Sequence, residues 1–192
     1  MTPVANRENR ERARTLLSLA LRRPEAPFAD PPVRALIVDF DRQQLHLVEQ
    51  GEAARSYPVS TAAALGGGED SDLTPPGWHR VHRKIGAGAA AGAVFESREP
   101  TGRIWEGEDE PGDLILTRIL TLEGLEEGVN RGPGVDSLER YIYIHGTNHP
   151  GRLGEPVSHG CVRMASEDIT DLFDRVREGD AVVVLSAAAV RA

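Results

Sequence analysis

The chain has 192 residues, enough for one domain with a substantial core and too few for two of full size. Its net charge of −8 argues against nonspecific nucleic-acid binding as the main task, and no stretch approaches the ~20 apolar residues of a membrane span. Cys161 is the single cysteine, so the sequence demands neither an intramolecular disulfide nor an oxidising compartment.

Residues 7–23 read as an amphipathic helix that packs on the domain. The apolar run Leu16-Leu17-Ser18-Leu19-Ala20-Leu21 is shorter than the ~7–15 residues of a signal-peptide core, and Arg22 and Arg23 follow it directly. Glu8 and Glu11 interrupt the basic lead-in. A full-length chain of this kind is expected in the cytoplasm; a chain trimmed of an export signal is expected in the periplasm. Pro24, Pro27, Pro31 and Pro32 break the next segment into a linker, so residues 1–32 form a helix-and-linker unit ahead of the domain at 33–192.

Short β patterns follow. Residues 33–38 read as a buried strand, the residues around Leu45 and Leu47 alternate, and 56–60 suggests a third strand. A polar loop at 66–72 and the turn Thr74-Pro75-Pro76-Gly77 lead into alternation over 78–84, with Trp78, Arg80 and His82 on one side. His79 and His82 then belong to an ordinary surface strand, or to a basic lining for an anionic ligand. Residues 86–92 are nearly all Gly and Ala and read as a loop. Residues 114–120 and 140–144 read as strands joined by an irregular, glycine-spaced connection. Over 167–178 the spacing of Ile169, Leu172, Phe173 and Val176 predicts a helix with Ser166 as its N-cap and Gly179 as its stop. Residues 181–185 are a final strand. The expected class is mostly β with one or two flanking helices.

The chemistry concentrates in Ser158-His159-Gly160-Cys161-Val162-Arg163-Met164 and in His145-Gly146, sixteen residues before the cysteine. A thiol among glycines and histidines suits a nucleophile. Glycine admits a carbonyl close to the sulfur, main-chain N–H groups can hold an oxyanion, and an imidazole can take the thiol proton. The bland reading is a small buried hydrophobe. A zinc site of His145, His149, His159 and Cys161 is a further alternative, opposed by Pro150 and Gly151, which break a helical His pairing. No metal or cofactor is expected.

The stretch from His145-Gly146-Thr147-Asn148 to Ser158-His159-Gly160-Cys161-Val162-Arg163 resembles the L,D-transpeptidase catalytic (YkuD) family, as does Thr74-Pro75-Pro76-Gly77 upstream. The resemblance covers roughly residues 33–185. It implies a β-sandwich or barrel-like fold and a cysteine acyl-transfer enzyme acting on a peptidoglycan stem peptide or muropeptide. The bond attacked would join the L-centre of a diamino acid to a terminal D-alanine. On this resemblance Cys161 is the nucleophile, His145 activates it, and the Gly146 carbonyl orients the imidazole. Main-chain N–H groups near His159, Gly160 and Cys161 would form an oxyanion hole. Arg163, Ser158 and Thr147 would meet substrate, Arg163 as partner of a carboxylate. A neighbouring imidazolium is expected to pull the thiol below its ordinary pKa of ~8.5 and make thiolate the main form. Three functions follow: an L,D-carboxypeptidase with water as favoured acceptor, an L,D-transpeptidase in the periplasm, or an idle muropeptide-binding module. The segment 86–137 is expected as an insertion that walls the substrate groove.

Overall fold

The computed structural model describes residues 4–28 and 30–187. Residues 1–3, Ala29 and 188–192, which belong to the two segments expected from sequence, lie outside the described residues. The elements are α1 (Arg7–Leu21), β1 (Arg34–Asp39), β2 (Gln44–Glu49), β3 (Glu52–Pro58), β4 (Gly77–Ile85), β5 (Ala93–Glu96), β6 (Glu99–Ile104), β7 (Ile115–Gly124), β8 (Tyr143–Gly146), β9 (Val162–Met164), α2 (Ser166–Arg175) and β10 (Ala181–Leu185). One mixed sheet runs β3-β2-β1-β10-β4-β7-β5-β6, and β8 branches from β7 to carry β9. Among the described residues the protein is mostly β with two α-helices, as the sequence patterns imply.

The period-two alternation of β1 decides what lies on each face. Ala35 and Ile37 point to α1, where they meet Leu16, Leu17 and Ala20 together with Val183 and Trp78. Leu36 and Val38 point the other way, into a core shared with Ile169, Leu172 and Phe173 of α2 and with Ile144, Val162 and Met164. Helix α1 starts where the Asn6 side chain accepts from the Asn9 N–H at 2.9 Å. Arg12 anchors it by two bonds to the fully buried Asp39, at 2.7 and 2.9 Å. Helix α2 opens on Ala165 rather than Ser166 and has no side-chain cap; the Ser166 hydroxyl is instead engaged by Thr117 Oγ1 at 2.8 Å. Its last carbonyls, on Phe173 and Val176, accept from the ammonium of Lys84, the chain's one lysine.

Several expected elements shift for identifiable reasons. Strand β3 begins at Glu52, ahead of the expected third strand, because Gln50 and Gly51 make a two-residue turn and pairing with β2 resumes at once. The strand expected from residue 140 begins at Tyr143, because Tyr141 has φ of +57°, outside the extended region. The insertion holds a hairpin, β5–β6, whose turn residues Ser97 and Arg98 both have positive φ without being glycine or asparagine. Every residue of β6 is exposed, so no burial pattern marked it in sequence.

Strand β4 departs most from expectation. A bulge between Val81 and Arg83 breaks its alternation. Trp78 is fully buried, donates its indole N–H to the Ala20 carbonyl at 3.3 Å and packs edge-on against Phe28, whereas Arg80 is exposed and paired with Glu123. His79 is fully buried rather than part of a surface strand. Its Nδ1–H donates to the Gly77 carbonyl at 3.0 Å, and Nε2 accepts from Ser137 Oγ at 2.9 Å, which ties the 126–137 connection to β4.

Burial holds His79 neutral by lowering its pKa from 6.5 to about 4, and it does the same to His46, packed beside Asp39. An unfolded histidine takes a proton below pH ~6.5, so the stability from the neutral native rings is complete above that pH and is lost as pH falls toward 4. Urea unfolding between pH 7 and 5 should show declining stability. His79→Gln should remove up to about 1.4 kcal/mol per pH unit of that slope, and an unchanged slope would contradict the assignment.

Candidate active site

The site is set by the register of three short strands. β8 pairs antiparallel with β7 and parallel with β9, with Ile144 opposite Val162, His145 opposite Arg163 and Gly146 opposite Met164. Ile144, Val162 and Met164 enter the core, so Tyr143, His145 and Arg163 lie on the other face. Cys161 precedes β9 by one residue and falls beside Tyr143 on that same face. The Tyr143 N–H donates to its sulfur at 3.4 Å, and the thiol donates to the Tyr141 carbonyl at 3.4 Å. Cys161, Tyr143, Phe95 and Ile119 pack as one cluster.

The imidazole of His145 is buried and held by an Nδ1–H bond to the Gly146 carbonyl at 2.8 Å. That bond fixes the tautomer and leaves Nε2 as the unprotonated nitrogen. Gly146 has a steric cause: a Cβ there would stand 2.6 Å from the Leu116 carbonyl oxygen on β7. Gly160 has φ of +122°, a conformation that lets the chain turn into β9.

Ser158 lies inside this turn. Its hydroxyl donates to the Cys161 carbonyl at 2.6 Å and accepts from the Gly160 N–H at 3.2 Å. The residue expected to meet substrate therefore shapes the loop, and the Gly160 N–H expected to face an oxyanion is already engaged. Arg163 is likewise committed. It is 4% exposed, pairs with Asp113 at 2.7 Å, and donates to the Val157 carbonyl and to His159 Nδ1, each at 3.3 Å. Thr147 donates to the other Asp113 oxygen at 3.4 Å and accepts from the His149 N–H at 3.1 Å, so it too is structural. Asn148 Nδ2 and His149 Nε2 both donate to the Gly112 carbonyl, and Asn148 Oδ1 accepts from the Leu114 N–H. The motif His145-Gly146-Thr147-Asn148 thus clamps residues 112–114 within the insertion. Asp113 had no sequence signal, because nothing in Pro111-Gly112-Asp113 foretells a partner fifty residues on. Among the described residues no three His, Cys, Asp or Glu side chains gather as a metal cluster.

Residues 33–184 match the family described as the L,D-transpeptidase catalytic domain. The chain belongs to this family. It is 43% identical over 77 residues to the putative L,D-transpeptidase YkuD of Bacillus subtilis, a stretch covering 36% of this chain and 47% of that protein. It is 51% identical over 45 residues to the probable L,D-transpeptidase YbiS of Escherichia coli, covering 23% of this chain and 15% of that one. The aligned part therefore spans less than half of either relative. L,D-transpeptidase 3 of Mycobacterium tuberculosis, solved with a faropenem-derived adduct, shares the fold with a TM-score of 0.50 at 19% identity, over 80% of this chain and 60% of that one.

In this member of the family, burial acts on both titrating groups in the direction that keeps them neutral. It pushes the Cys161 thiol up to about 11, against the opposing pull of the Tyr143 N–H and of Arg163 and Arg140. It pushes the His145 imidazole below its ordinary value, while Asp113 acts the other way. The expected resting thiolate–imidazolium pair gives way to a neutral thiol and a neutral ring, because desolvation outweighs the nearby charges. The rate of iodoacetamide alkylation of Cys161 should accordingly keep rising above pH 9. A plateau reached below pH 7 would contradict the neutral pair.

Proposed function

We propose that this domain is a cysteine acyl-transfer enzyme that cleaves the L,D-peptide bond before the terminal D-alanine of a peptidoglycan stem tetrapeptide. The observation that carries the reading is the shared face of Cys161 and His145, with the imidazole Nδ1–H fixed on the Gly146 carbonyl and Nε2 left as base. Family membership supports the substrate class.

The neutral resting pair dictates the order of events. As the sulfur attacks the carbonyl carbon, the thiol proton passes to His145 Nε2 and the carbonyl oxygen gains the negative charge. The Gly146 carbonyl stabilises the imidazolium through the Nδ1–H. The oxyanion would lie against the main-chain N–H groups of the 159–161 turn, apart from that of Gly160, which Ser158 already holds. Collapse of the intermediate breaks the C–N bond, and the imidazolium protonates the departing amine of D-alanine. The thioester on Cys161 then meets a second nucleophile, whose proton returns through His145 to the sulfur. Water as that nucleophile gives an L,D-carboxypeptidase, and an amine gives transpeptidation.

Cys161→Ala should abolish D-alanine release from a stem tetrapeptide without changing the circular-dichroism spectrum, and His145→Ala should slow it by about 10²–10⁴-fold. Continued release by Cys161→Ala would remove the acyl-transfer reading. With excess D-amino acid present, mass spectrometry of the products separates the acceptors: mainly tripeptide supports hydrolysis, mainly exchanged tetrapeptide supports transfer.

A further inference from the structure

The base of the proposed reaction becomes a cation in a buried place. His145 is 1% exposed, and its Nδ1–H meets the Gly146 carbonyl, a neutral group. A carbonyl orients the ring but supplies no full charge, and a buried cation without a counter-charge is costly. The counter-charge has to come from elsewhere on the same face.

Two residues flank His145 on that face. Arg163 is its register partner across the β8–β9 pair. Thr147 lies two positions on, where its N–H donates to the Met164 carbonyl at 3.0 Å and carries the pairing past the end of β8. Both hold the same carboxylate. Asp113 Oδ2 meets Arg163 Nη2 at 2.7 Å, and Asp113 Oδ1 accepts from the Thr147 hydroxyl at 3.4 Å. The insertion thereby sets one negative charge beside the ring. Arg163 does not close a two-bond fork on it, because its Nε is buried without a hydrogen-bond partner. Asp113 accordingly raises the proton affinity of His145 by more than Arg163 lowers it. Among the described residues no further charge shifts the ring. Arg118 of β7 is turned to the Ala89 and Thr117 carbonyls, and Glu167 and Asp168 in the first turn of α2 do not act on it. The Cys161 thiol, neutral at rest, is the remaining titrating neighbour.

We propose that Asp113 is a positioning residue for the reaction: held by Thr147 and Arg163, its carboxylate is the counter-charge for the imidazolium that forms when His145 takes the thiol proton. The S–H bond breaks and the Nε2–H bond forms, while Asp113 neither gains nor loses a proton. This assignment rests on the acyl-transfer reading above. It recasts Arg163 as the tether and partial brake of Asp113, and it gives the insertion a part in the chemical step.

The sign of the pH effect separates this role from a structural one. The base works as neutral imidazole, so kcat/KM falls as pH drops through the pKa of the ring. Without the Asp113 charge the ring stays neutral to lower pH and is a weaker base throughout. The variant is both slower and more acid-tolerant.

The test is D-alanine release from a stem tetrapeptide across pH, with the folded fraction followed by circular dichroism at each point. Asp113→Asn should lower kcat by about 10- to 100-fold with KM within about twofold, and should move the acid limb of kcat/KM to lower pH. Asp113→Glu keeps the charge and should recover most of the loss. Arg163→Gln should move the limb the other way, to higher pH. The double variant Asp113→Asn/Arg163→Gln leaves neither charge buried and unpaired, which guards against misfolding. It should stay slower than wild type, with its limb below that of wild type. A purely structural role lowers the rate without moving the limb. A limb that stays in place or rises in both variants carrying Asp113→Asn, or a double variant as fast as wild type, would overturn the proposal. A wild type that releases no D-alanine sinks the acyl-transfer reading and this assignment with it. An active wild type whose acid limb ignores Asp113 sinks this assignment alone.

Discussion

The parallel pairing of β8 with β9 is the constraint on which the site depends. Strand alternation sends Ile144, Val162 and Met164 into the main core, and their burial locks the register. The opposite face then receives Tyr143, His145, Cys161 and Arg163 without freedom to slip. A one-residue shift would turn the imidazole into the aliphatic core and the isoleucine onto the face of Cys161 and Arg163. The pairing of β8 with β7 adds a second limit, since the Leu116 carbonyl leaves room only for a glycine after His145. The same glycine presents the carbonyl that holds the ring.

Burial then sets the chemistry. The face that gathers the thiol and imidazole buries the ring and half-buries the sulfur, and the resulting desolvation favours their uncharged forms. On the proposed mechanism, charge separation is deferred to the moment of attack, when an oxyanion and an imidazolium form together. Asp113 and Arg163 form a pair beside the imidazole, contributed by the insertion and by β9. The insertion thus takes part in the electrostatics of the site through Asp113.

Much of this was legible in the sequence because it lies in local pattern. The helical spacing of Ile169, Leu172 and Phe173, the final strand and the amphipathic first helix all read directly. The elements that misread depend on long-range contacts. His79 looked like a surface residue until Ser137, 58 positions away, supplied its partner. Ser158, Thr147 and Arg163 carry side chains suited to substrate, and only the folded loops show that their bonds are already made to Cys161, Asp113 and Val157. The exposed β6 and its turn at Ser97 and Arg98 had neither a hydrophobic rhythm nor a glycine to announce them.

The account turns on a covalent bond between one sulfur and the carbonyl released from D-alanine. Intact-mass spectrometry of the enzyme quenched in acid during turnover of a stem tetrapeptide tests it most directly. The account predicts a gain equal to the tetrapeptide less D-alanine, mapped by peptide digestion to Cys161. Release of D-alanine with the modification on any other residue, or with an adduct that still holds the D-alanine, would contradict it.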